Sequence, residues 1–450
     1  MIGQKEKNIM YLLHRRLTYY LERLSISRQN QNHQEELTCL SQLAVIYERL
    51  FKFSQALEYH KLLFALSQRM GAKDWQEVAL YNIGNCYRQL SQCHESIKYF
   101  RQLLNFTYKT GNRILHIAGL CGLGTNYQNQ GQYQKAIEYF QNQLAISCEI
   151  NERICQKSAL GSLANVYQCL GDYQQALEYE QKVLLIAHEM EDIKATGDSL
   201  ANIGGIYLQL QQWQKTITFC NQSLLLAREI ENQSLVMISL YNLGQAYKGI
   251  DQYEKAMDFL TTALDISYEI DDKRARSAIL QSLSDLCSQI NLLEQVIEYN
   301  IESLSINHQT ENQLGEASSL GRIGATYQHL GSNAQALTYY QQSLRIFQDI
   351  RAKHSQQQLL FNIGTVYYCD GQFSQAIGFL QSALILAEES QNNREEAQIS
   401  LTLGATLHKL NHYQEAIYYY RRAYRIYQSL GDKNQAQQVL QFMQQLRAKF

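Results

Sequence analysis

Proline is absent from the 450 residues of this chain. Because proline costs about 3 kcal/mol inside a helix, its absence is compatible with helices along almost the whole length. Turns must then rely on glycine, asparagine and aspartate. Long apolar runs are also missing, so the sequence predicts no membrane span, and the N-terminus MIGQKEKNIMYLLHRR lacks the apolar stretch of a secretory signal.

The chain also has little excess charge of either sign. Its 40 basic and 42 acidic residues give a formal net charge of −2, which disfavours nucleic acid and anionic membranes as partners. The ten cysteines form no CxxC motif and occur at positions where other sequences place alanine, serine or leucine. We therefore expect reduced, mostly buried thiols in a cytoplasmic protein.

One pattern returns every 40 residues without insertion or deletion, and its best-defined copy is Leu120–Phe140, LCGLGTNYQNQGQYQKAIEYF. A tyrosine recurs in one register, and a small residue such as Gly124 precedes it by three places. The tyrosines are Tyr47, Tyr87, Tyr127, Tyr167, Tyr207, Tyr247, Tyr327 and Tyr367. A fixed period of this kind indicates a repeat array, which is one structure whatever its length.

Each copy predicts a helical hairpin. The apolar residues of Leu120–Tyr127 recur at the spacing of one helix face, which predicts a first helix, A. Gly131 follows, where a helix C-terminus favours a residue that tolerates positive φ. Apolar residues at helical spacing over Tyr133–Leu144 predict a second helix, B. Gly124 and Ala136 allow the two helices to approach closely.

The pattern L-G-x-x-Y, then G-x-Y-x-x-A, then an aromatic residue resembles the tetratricopeptide repeat, over nearly the whole chain. The period of 40 exceeds the usual period of about 34, as in the long repeats of kinesin light chains, spindle-orientation adaptors and cyanobacterial members. The resemblance implies an all-α fold, an α-solenoid wound as a right-handed superhelix whose concave face is lined by the A helices.

The repeat register divides the chain into three parts. Residues 1–36 are expected to form an N-terminal capping helix, a degenerate helix B. Residues 37–436 are expected to form ten repeats of 40 residues. Residues 437–450 are expected to form a C-terminal capping helix.

Several positions depart from the pattern or test it. In the capping helices, Leu13, Leu24, Ile26, Leu440 and Met443 take apolar positions, so we expect them in the core. The first repeat has a phenylalanine where a glycine turn is expected, and the seventh replaces several consensus residues. For the seventh, we weigh harmless drift against a local change in curvature. The residues concerned are Phe51, Ser284, Cys287, Asn291, Leu293 and Val296.

The concave positions of helix A predict where a partner binds. An asparagine side chain offers a donor and an acceptor that match a peptide bond, and helices about 8–10 Å apart would meet about every third residue of an extended peptide. The predicted contacts are Asn82, Asn85, Arg88, Asn165, Asn202, Asn242, Lys248, Arg322 and Asn362. The alternative is that these asparagines only bridge neighbouring repeats. The cations favour a partner segment that carries some acidic residues.

No catalytic motif such as HExxH, GxSxG, a P-loop or GxGxxG occurs, and no spacing supports a metal or cofactor site. The sequence therefore predicts a non-enzymatic protein-interaction scaffold that binds a peptide or partner segment in the groove. The alternative is a peptide-sensing regulator whose superhelix changes shape on binding. Residues 1–36 are too short for the N-terminal output domain of such regulators, which counts against it. The partner's identity and the oligomeric state stay open.

Overall fold

The computed structural model describes residues 2–447, and the side chains of residues 10–446. It divides into two compact units, unit 1 (Met1–Leu226) and unit 2 (Ala227–Phe450). The described residues form 22 α-helices and no strand.

The first helices are α1 (Ile2–Gln29), α2 (His33–Arg49), α3 (Phe53–Met70), α4 (Lys73–Gln89), α5 (Cys93–Thr110), α6 (Arg113–Asn129), α7 (Tyr133–Glu149), α8 (Arg153–Cys169), α9 (Tyr173–Glu189), α10 (Ile193–Gln209) and α11 (Trp213–Glu229). The remaining helices are α12 (Gln233–Gly249), α13 (Tyr253–Glu269), α14 (Lys273–Gln289), α15 (Leu293–Gln309), α16 (Gln313–His329), α17 (Asn333–Asp349), α18 (Lys353–Cys369), α19 (Phe373–Glu389), α20 (Asn393–Lys409), α21 (Tyr413–Ser429) and α22 (Lys433–Arg447). Successive helices pack against each other within each unit, which confirms the predicted all-α solenoid of helical hairpins.

Aromatic pairs hold the two helices of a hairpin together. The rings of Tyr127 and Tyr139 stack with centroids 5.4 Å apart and an interplanar angle of 10°. Equivalent stacks are Tyr47–Tyr59, Tyr87–Tyr99, Tyr167–Tyr179, Tyr207–Phe219, Tyr247–Phe259, Tyr327–Tyr339 and Tyr367–Phe379. Phe140 lies against Gly124, where an added Cβ would come within 2.5 Å of the ring. The consensus glycine is therefore required by the aromatic residue opposite it.

Turn geometry follows the predicted register. Gly131 has φ +70°, which confirms the predicted positive-φ position. Non-glycine residues occupy the same conformation at other turns, among them Phe51 at φ 56° and Asn291 at φ 62°. Many A helices begin after an Asn or Asp whose side chain accepts a hydrogen bond from the backbone two or three residues into the helix, as Asn112 does from Leu115 N.

The two terminal helices each pack on one neighbour in sequence, α1 on α2 and α22 on α21. Leu13, Leu24 and Met443 are buried as predicted. The prediction is wrong for Ile26, which is 53% exposed, and for Leu440, which is 36% exposed. A terminal helix has a partner on one side only, so some positions that an internal repeat buries face solvent. No helix among the described residues is both long and apolar enough to cross a membrane.

Candidate functional site

All nine predicted contact residues lie on even-numbered helices, which are the A helices of the hairpins. In each unit, the positions of these helices that carry the predicted contacts form one surface. We call it the A-helix face. In unit 1 it carries Asn82, Asn85 and Arg88 on α4, Asn165 on α8 and Asn202 on α10. In unit 2 it carries Asn242 and Lys248 on α12, Arg322 on α16 and Asn362 on α18.

Polar side chains on this face bridge consecutive A helices at a fixed separation of 37 residues. Gln128 Nε2 donates to Asn165 Oδ1 at 2.5 Å, and Gln245 Nε2 donates to Ser282 Oγ at 2.5 Å. The third example is an ion pair, with Arg322 donating to Asp285. Asn165 and Arg322 are thus engaged with a neighbouring repeat.

Asn202 bridges repeats in a different way. Its Nδ2 donates to Oε1 of Glu180 on α9, at 3.1 Å. Glu180 is 3% exposed and occupies the register position that holds Phe100 and Phe140 in other hairpins. Burial raises the pKa of Glu180, against the effect of hydrogen bonds from Asn202 and Ser199. Sequence reasoning missed Glu180, although an acidic residue at an aromatic position is a visible departure from the repeat.

A cavity of about 320 Å³ opens on the A-helix face of unit 1, between α4, α6 and α8. At its base, Gly122 packs against Phe100, whose Cζ would lie 2.5 Å from an added Cβ. Its apolar rim includes Ile114 and Ile154, which are 49% and 63% exposed. The glycine that interrupts the asparagine series in the sequence therefore lines the cavity, where other repeats carry a polar side chain.

Predicted contact residues line the same cavity. Asn85 and Arg88 are among its lining residues, and Arg88 Nη2 donates to Asn85 Oδ1 at 3.3 Å. Arg88 has no carboxylate partner among the residues that the structure describes. Burial raises the pKa of the Cys121 thiol, which lines the cavity, while the charge of Arg88 opposes that shift.

One lining residue was not predicted. Gln143, on α7, is 2% exposed, and its Oε1 has no hydrogen-bond partner among the described residues. An unpaired buried acceptor costs about 1–3 kcal/mol. This oxygen is itself shielded from solvent, so it does not lie on the open surface of the cavity. The sequence does show it as a departure from the repeat, because the same register position holds Leu63, Leu103 and Val183 in other B helices.

The A-helix face of unit 2 has smaller or more polar cavities. One of about 260 Å³ is lined by Asn362 and Glu395, from α18 and α20. Another of about 300 Å³ lies beside the Asp285–Arg322 ion pair in the degenerate repeat. Asn242 is only 8% exposed, so most of its surface is not offered to a partner.

The degenerate repeat is internally complementary. Ser284 stands in the glycine position, and Asn300 stands opposite it in the aromatic position. Asn300 Nδ2 donates to Ser284 Oγ at 2.6 Å and to Val296 O at 2.6 Å. The two departures from consensus are therefore matched to each other.

Family models of a known repeat match this chain. The family model for the tetratricopeptide repeat matches residues 114–187, 196–269, 315–389 and 355–429, more than half of the chain. A second model for the same repeat matches residues 78–105. No curated protein matches the sequence significantly.

Solved structures with a similar fold share little sequence. A signal-transduction ATPase with a tetratricopeptide repeat sensor, from Pyrococcus horikoshii, is 14% identical with a TM-score of 0.59, and the match covers 75% of this chain and 53% of that one. This chain thus spans about half the length of that protein. The apo form of the quorum sensor NprR from B. thuringiensis is 14% identical, with a TM-score of 0.52, covering 80% and 99%.

Aspartyl phosphate phosphatase F from Bacillus subtilis is also 14% identical, with a TM-score of 0.51, covering 76% of this chain and 91% of that one. At this identity these likenesses show the fold alone. The repeated hairpins, the stacked aromatic pairs and the matched family model together show that this chain belongs to the tetratricopeptide repeat family.

Proposed function

We propose that the chain is a non-enzymatic interaction scaffold that binds a partner segment on the A-helix face of unit 1. The segment would pair an apolar side chain with an acidic one. The observation that supports this most is the cavity between α4, α6 and α8, which combines exposed isoleucines with an arginine that has no carboxylate partner among the described residues.

The apolar part of the site supplies most of the affinity. Ile114 and Ile154 leave about half or more of their surface in solvent. A partner side chain seated between them would cover both. Burying one leucine-sized side chain contributes about 1.5–3 kcal/mol.

The polar part supplies orientation. Arg88 offers its guanidinium to a carboxylate, whereas Arg322 in unit 2 is already neutralised by Asp285. A hydrogen bond to a charged group contributes about 1.5–3 kcal/mol. The nearby Asn82 and Asn85 lie on the same helix and extend the polar edge.

The remaining predicted contacts take different roles in this proposal. Asn165 and Asn202 bridge repeats through Gln128 and Glu180, so they contribute little to the partner. In unit 2, Lys248 and Asn362 form a second and weaker surface, and the mostly buried Asn242 contributes little to it.

The test is a spot array of short synthetic peptides that combine one leucine or isoleucine with aspartate, glutamate, lysine or amide residues at varied spacing. We expect the full chain to select apolar–acidic peptides. The best peptide is then titrated by fluorescence anisotropy. Arg88→Gln and Ile154→Ser are each expected to weaken it about tenfold or more, the equivalent of about 1.4 kcal/mol.

Matched controls lie on B helices of the same unit. Lys98→Gln removes an exposed cation of α5. Leu185→Ser removes a leucine of α9 that is 60% exposed. Both should leave the affinity unchanged. An array without preference, or equal losses in control and site variants, would refute the proposal.

The regulator alternative is decided by the same titration. A scaffold keeps its small-angle scattering profile when the peptide saturates it. A shape-changing sensor shows a smaller radius of gyration at saturation. In that case the Ile154→Ser variant should lose both the peptide binding and the decrease in the radius of gyration.

A further inference from the structure

Three residues of unit 1 depart from the repeat pattern and meet at one point. Glu48 lies near the end of α2, His60 in the middle of α3 and Cys86 near the end of α4. Some other repeats place glutamine at the Glu48 position, phenylalanine at the His60 position, and isoleucine or valine at the Cys86 position. Those residues are Gln128, Gln168, Gln328, Phe100, Phe140, Ile46, Val166, Ile206 and Val366.

The side chains converge tightly. His60 Nε2 lies 3.0 Å from Glu48 Oε1, and Cys86 Sγ lies 3.6 Å from the same oxygen. The ligand atoms of all three residues lie within 4.8 Å of one another. In a tetrahedral zinc site with Zn–S about 2.3 Å and Zn–N and Zn–O about 2.0–2.1 Å, ligand atoms are about 3.3–3.6 Å apart. The two distances to Glu48 Oε1 are within a few tenths of an ångström of this geometry, whereas the His60 and Cys86 ligand atoms would approach each other by up to about 1.2 Å.

Burying these three polar side chains costs free energy if they serve only to fill space. His60 is fully buried, and its Nδ1 has no hydrogen-bond partner among the described residues. Cys86 is 1% exposed and lies among Ala56, Leu57 and Ile83. Glu48 keeps 29% of its side chain in solvent, so the cluster has an opening at the carboxylate.

We propose that Glu48, His60 and Cys86 bind one divalent transition-metal ion, with Zn²⁺ favoured by the mixed nitrogen, sulfur and oxygen ligand set. Three protein ligands leave a fourth position for water or a partner group. Hard cations such as Mg²⁺ and Ca²⁺ are disfavoured, since they take oxygen ligands almost exclusively.

Binding requires no redox step. In the metal-free cluster the Cys86 thiol donates a hydrogen bond, through its S–H proton, to Glu48. The ion takes the sulfur lone pair, and that proton leaves to solvent, as metal-ligated cysteines are thiolates. In the metal-free cluster the His60 ring proton is on Nε2, which donates to Glu48 Oε1. Ligation through Nε2 therefore requires this proton to move to Nδ1, and His60 then binds as neutral imidazole.

The ion would tie three helices of consecutive hairpins together. Because Glu48, His60 and Cys86 come from α2, α3 and α4, metal binding stabilises the folded state of the N-terminal hairpins by mass action. Spacing motifs in the sequence do not show such a site, since its ligands lie on three separate helices.

The test uses the full chain, reduced and freed of metal with a chelator. Titration with Co²⁺ should give one equivalent per chain and a thiolate-to-cobalt charge-transfer band in the near ultraviolet. Zn²⁺ should displace it and raise the melting temperature. Cys86→Val, which installs a residue that other repeats carry, should abolish the band and weaken Zn²⁺ binding at least a hundredfold. Glu48→Gln should weaken it at least tenfold.

Cys39→Ala is the control. It removes another buried thiol of unit 1, 1% exposed, and should leave stoichiometry and band intact. Circular dichroism and melting of metal-free Cys86→Val test its folding, and Glu48→Gln provides a second variant should that one fail. The proposal is overturned if the wild-type chain binds no stoichiometric Co²⁺ or Zn²⁺, or if Cys86→Val and Glu48→Gln both bind Zn²⁺ like the wild type.

Discussion

Asn202 donates a hydrogen bond from Nδ2 to Oε1 of Glu180, 3.1 Å away on the preceding helix B. Glu180 is almost fully buried, and Asn202 reaches it from the A-helix face. The sequence alone left open whether such asparagines contact a partner or bridge repeats. At this position the side chain is engaged with the core of the repeat before it.

Asn202→Ala should therefore destabilise the protein. The change removes a donor to a buried carboxylate, and we expect a loss of about 1–3 kcal/mol in the free energy of unfolding at neutral pH. Asn165→Ala is the matched control, because Asn165 is exposed and pairs only with surface groups. It should change the free energy by less than about 0.5 kcal/mol. Urea denaturation followed by circular dichroism measures both, and equal effects would contradict the assigned role of Asn202.

Glu180→Gln should stabilise the protein in a pH-dependent way. Burial raises the pKa of Glu180, Asn202 and Ser199 oppose the shift, and the Asp198 charge on α10 adds to it. The folded state then holds this proton more tightly than the unfolded chain. Stability contributed by the protonated group is present below the ordinary glutamate pKa and is lost as pH rises through the raised value.

The glutamine variant lacks this loss. It should melt at a higher temperature than the wild type at pH 7, and the difference should shrink as pH falls towards the ordinary glutamate range. Glu178→Gln, on the exposed side of the same helix, should show no such trend. A difference that is constant with pH would rule out the buried carboxylate as its cause.

The repeat pattern predicts much of the fold. The register of Tyr127 and Gly124 predicts the hairpin and the close approach of its two helices, because the same residue types pack in every repeat. The stacking of Tyr127 on Tyr139 was not predicted. The consensus does not predict which of the residues that depart from it compensate for each other. Ser284 with Asn300 is such a pair, and each residue alone looks like drift.

Gly122 and Gly161 provide a direct test of helix packing. A Cβ on Gly122 would lie 2.5 Å from the Phe100 ring, whereas a Cβ on Gly161 meets nothing within 4 Å. Gly122→Ala should therefore destabilise the protein by about 1–3 kcal/mol through overpacking. Gly161→Ala should stabilise it by about 0.5–1 kcal/mol, since alanine is the better helix former. Denaturation midpoints of the two variants should move in opposite directions, and movement in the same direction would contradict this contact.

The candidate site was predicted only in part. Asn85 and Arg88 follow from the helix A register, so the sequence locates one side of the cavity. Gly122 interrupts an asparagine series in the sequence, and in the structure it lines the cavity while packing on Phe100. Gln143 comes from a B helix, and its unpaired oxygen depends on which neighbours fail to reach it. Unpaired atoms of this kind arise from packing in three dimensions, so the spacing of residues in the sequence does not predict them.

Phe51→Gly should stabilise the first hairpin. Phe51 has φ 56° and is 82% exposed, and its ring meets only Phe53 edge-on at 6.2 Å. An L-residue in the left-handed region costs about 1–2 kcal/mol relative to glycine, more than an exposed ring contact returns. We expect a net gain of about 0.5–1 kcal/mol. Gly131→Ala, at φ +70° with no atom near its Cβ, should lose a similar amount, and a gain there would show that the turn conformation carries no strain.

Tyr207→Ala tests the aromatic stacks. Tyr207 is 8% exposed, stacks on Phe219 at 5.5 Å and has the Lys215 ammonium 4.9 Å from its ring centroid. Its removal leaves a cavity that should cost about 3–5 kcal/mol. Because each repeat is stabilised by its neighbours, hydrogen exchange should accelerate beyond the hairpin itself. Tyr108→Ala, at a tyrosine that is 83% exposed, is the control and should leave both measurements unchanged. A small loss for Tyr207→Ala would mean that the stack is not a core contact.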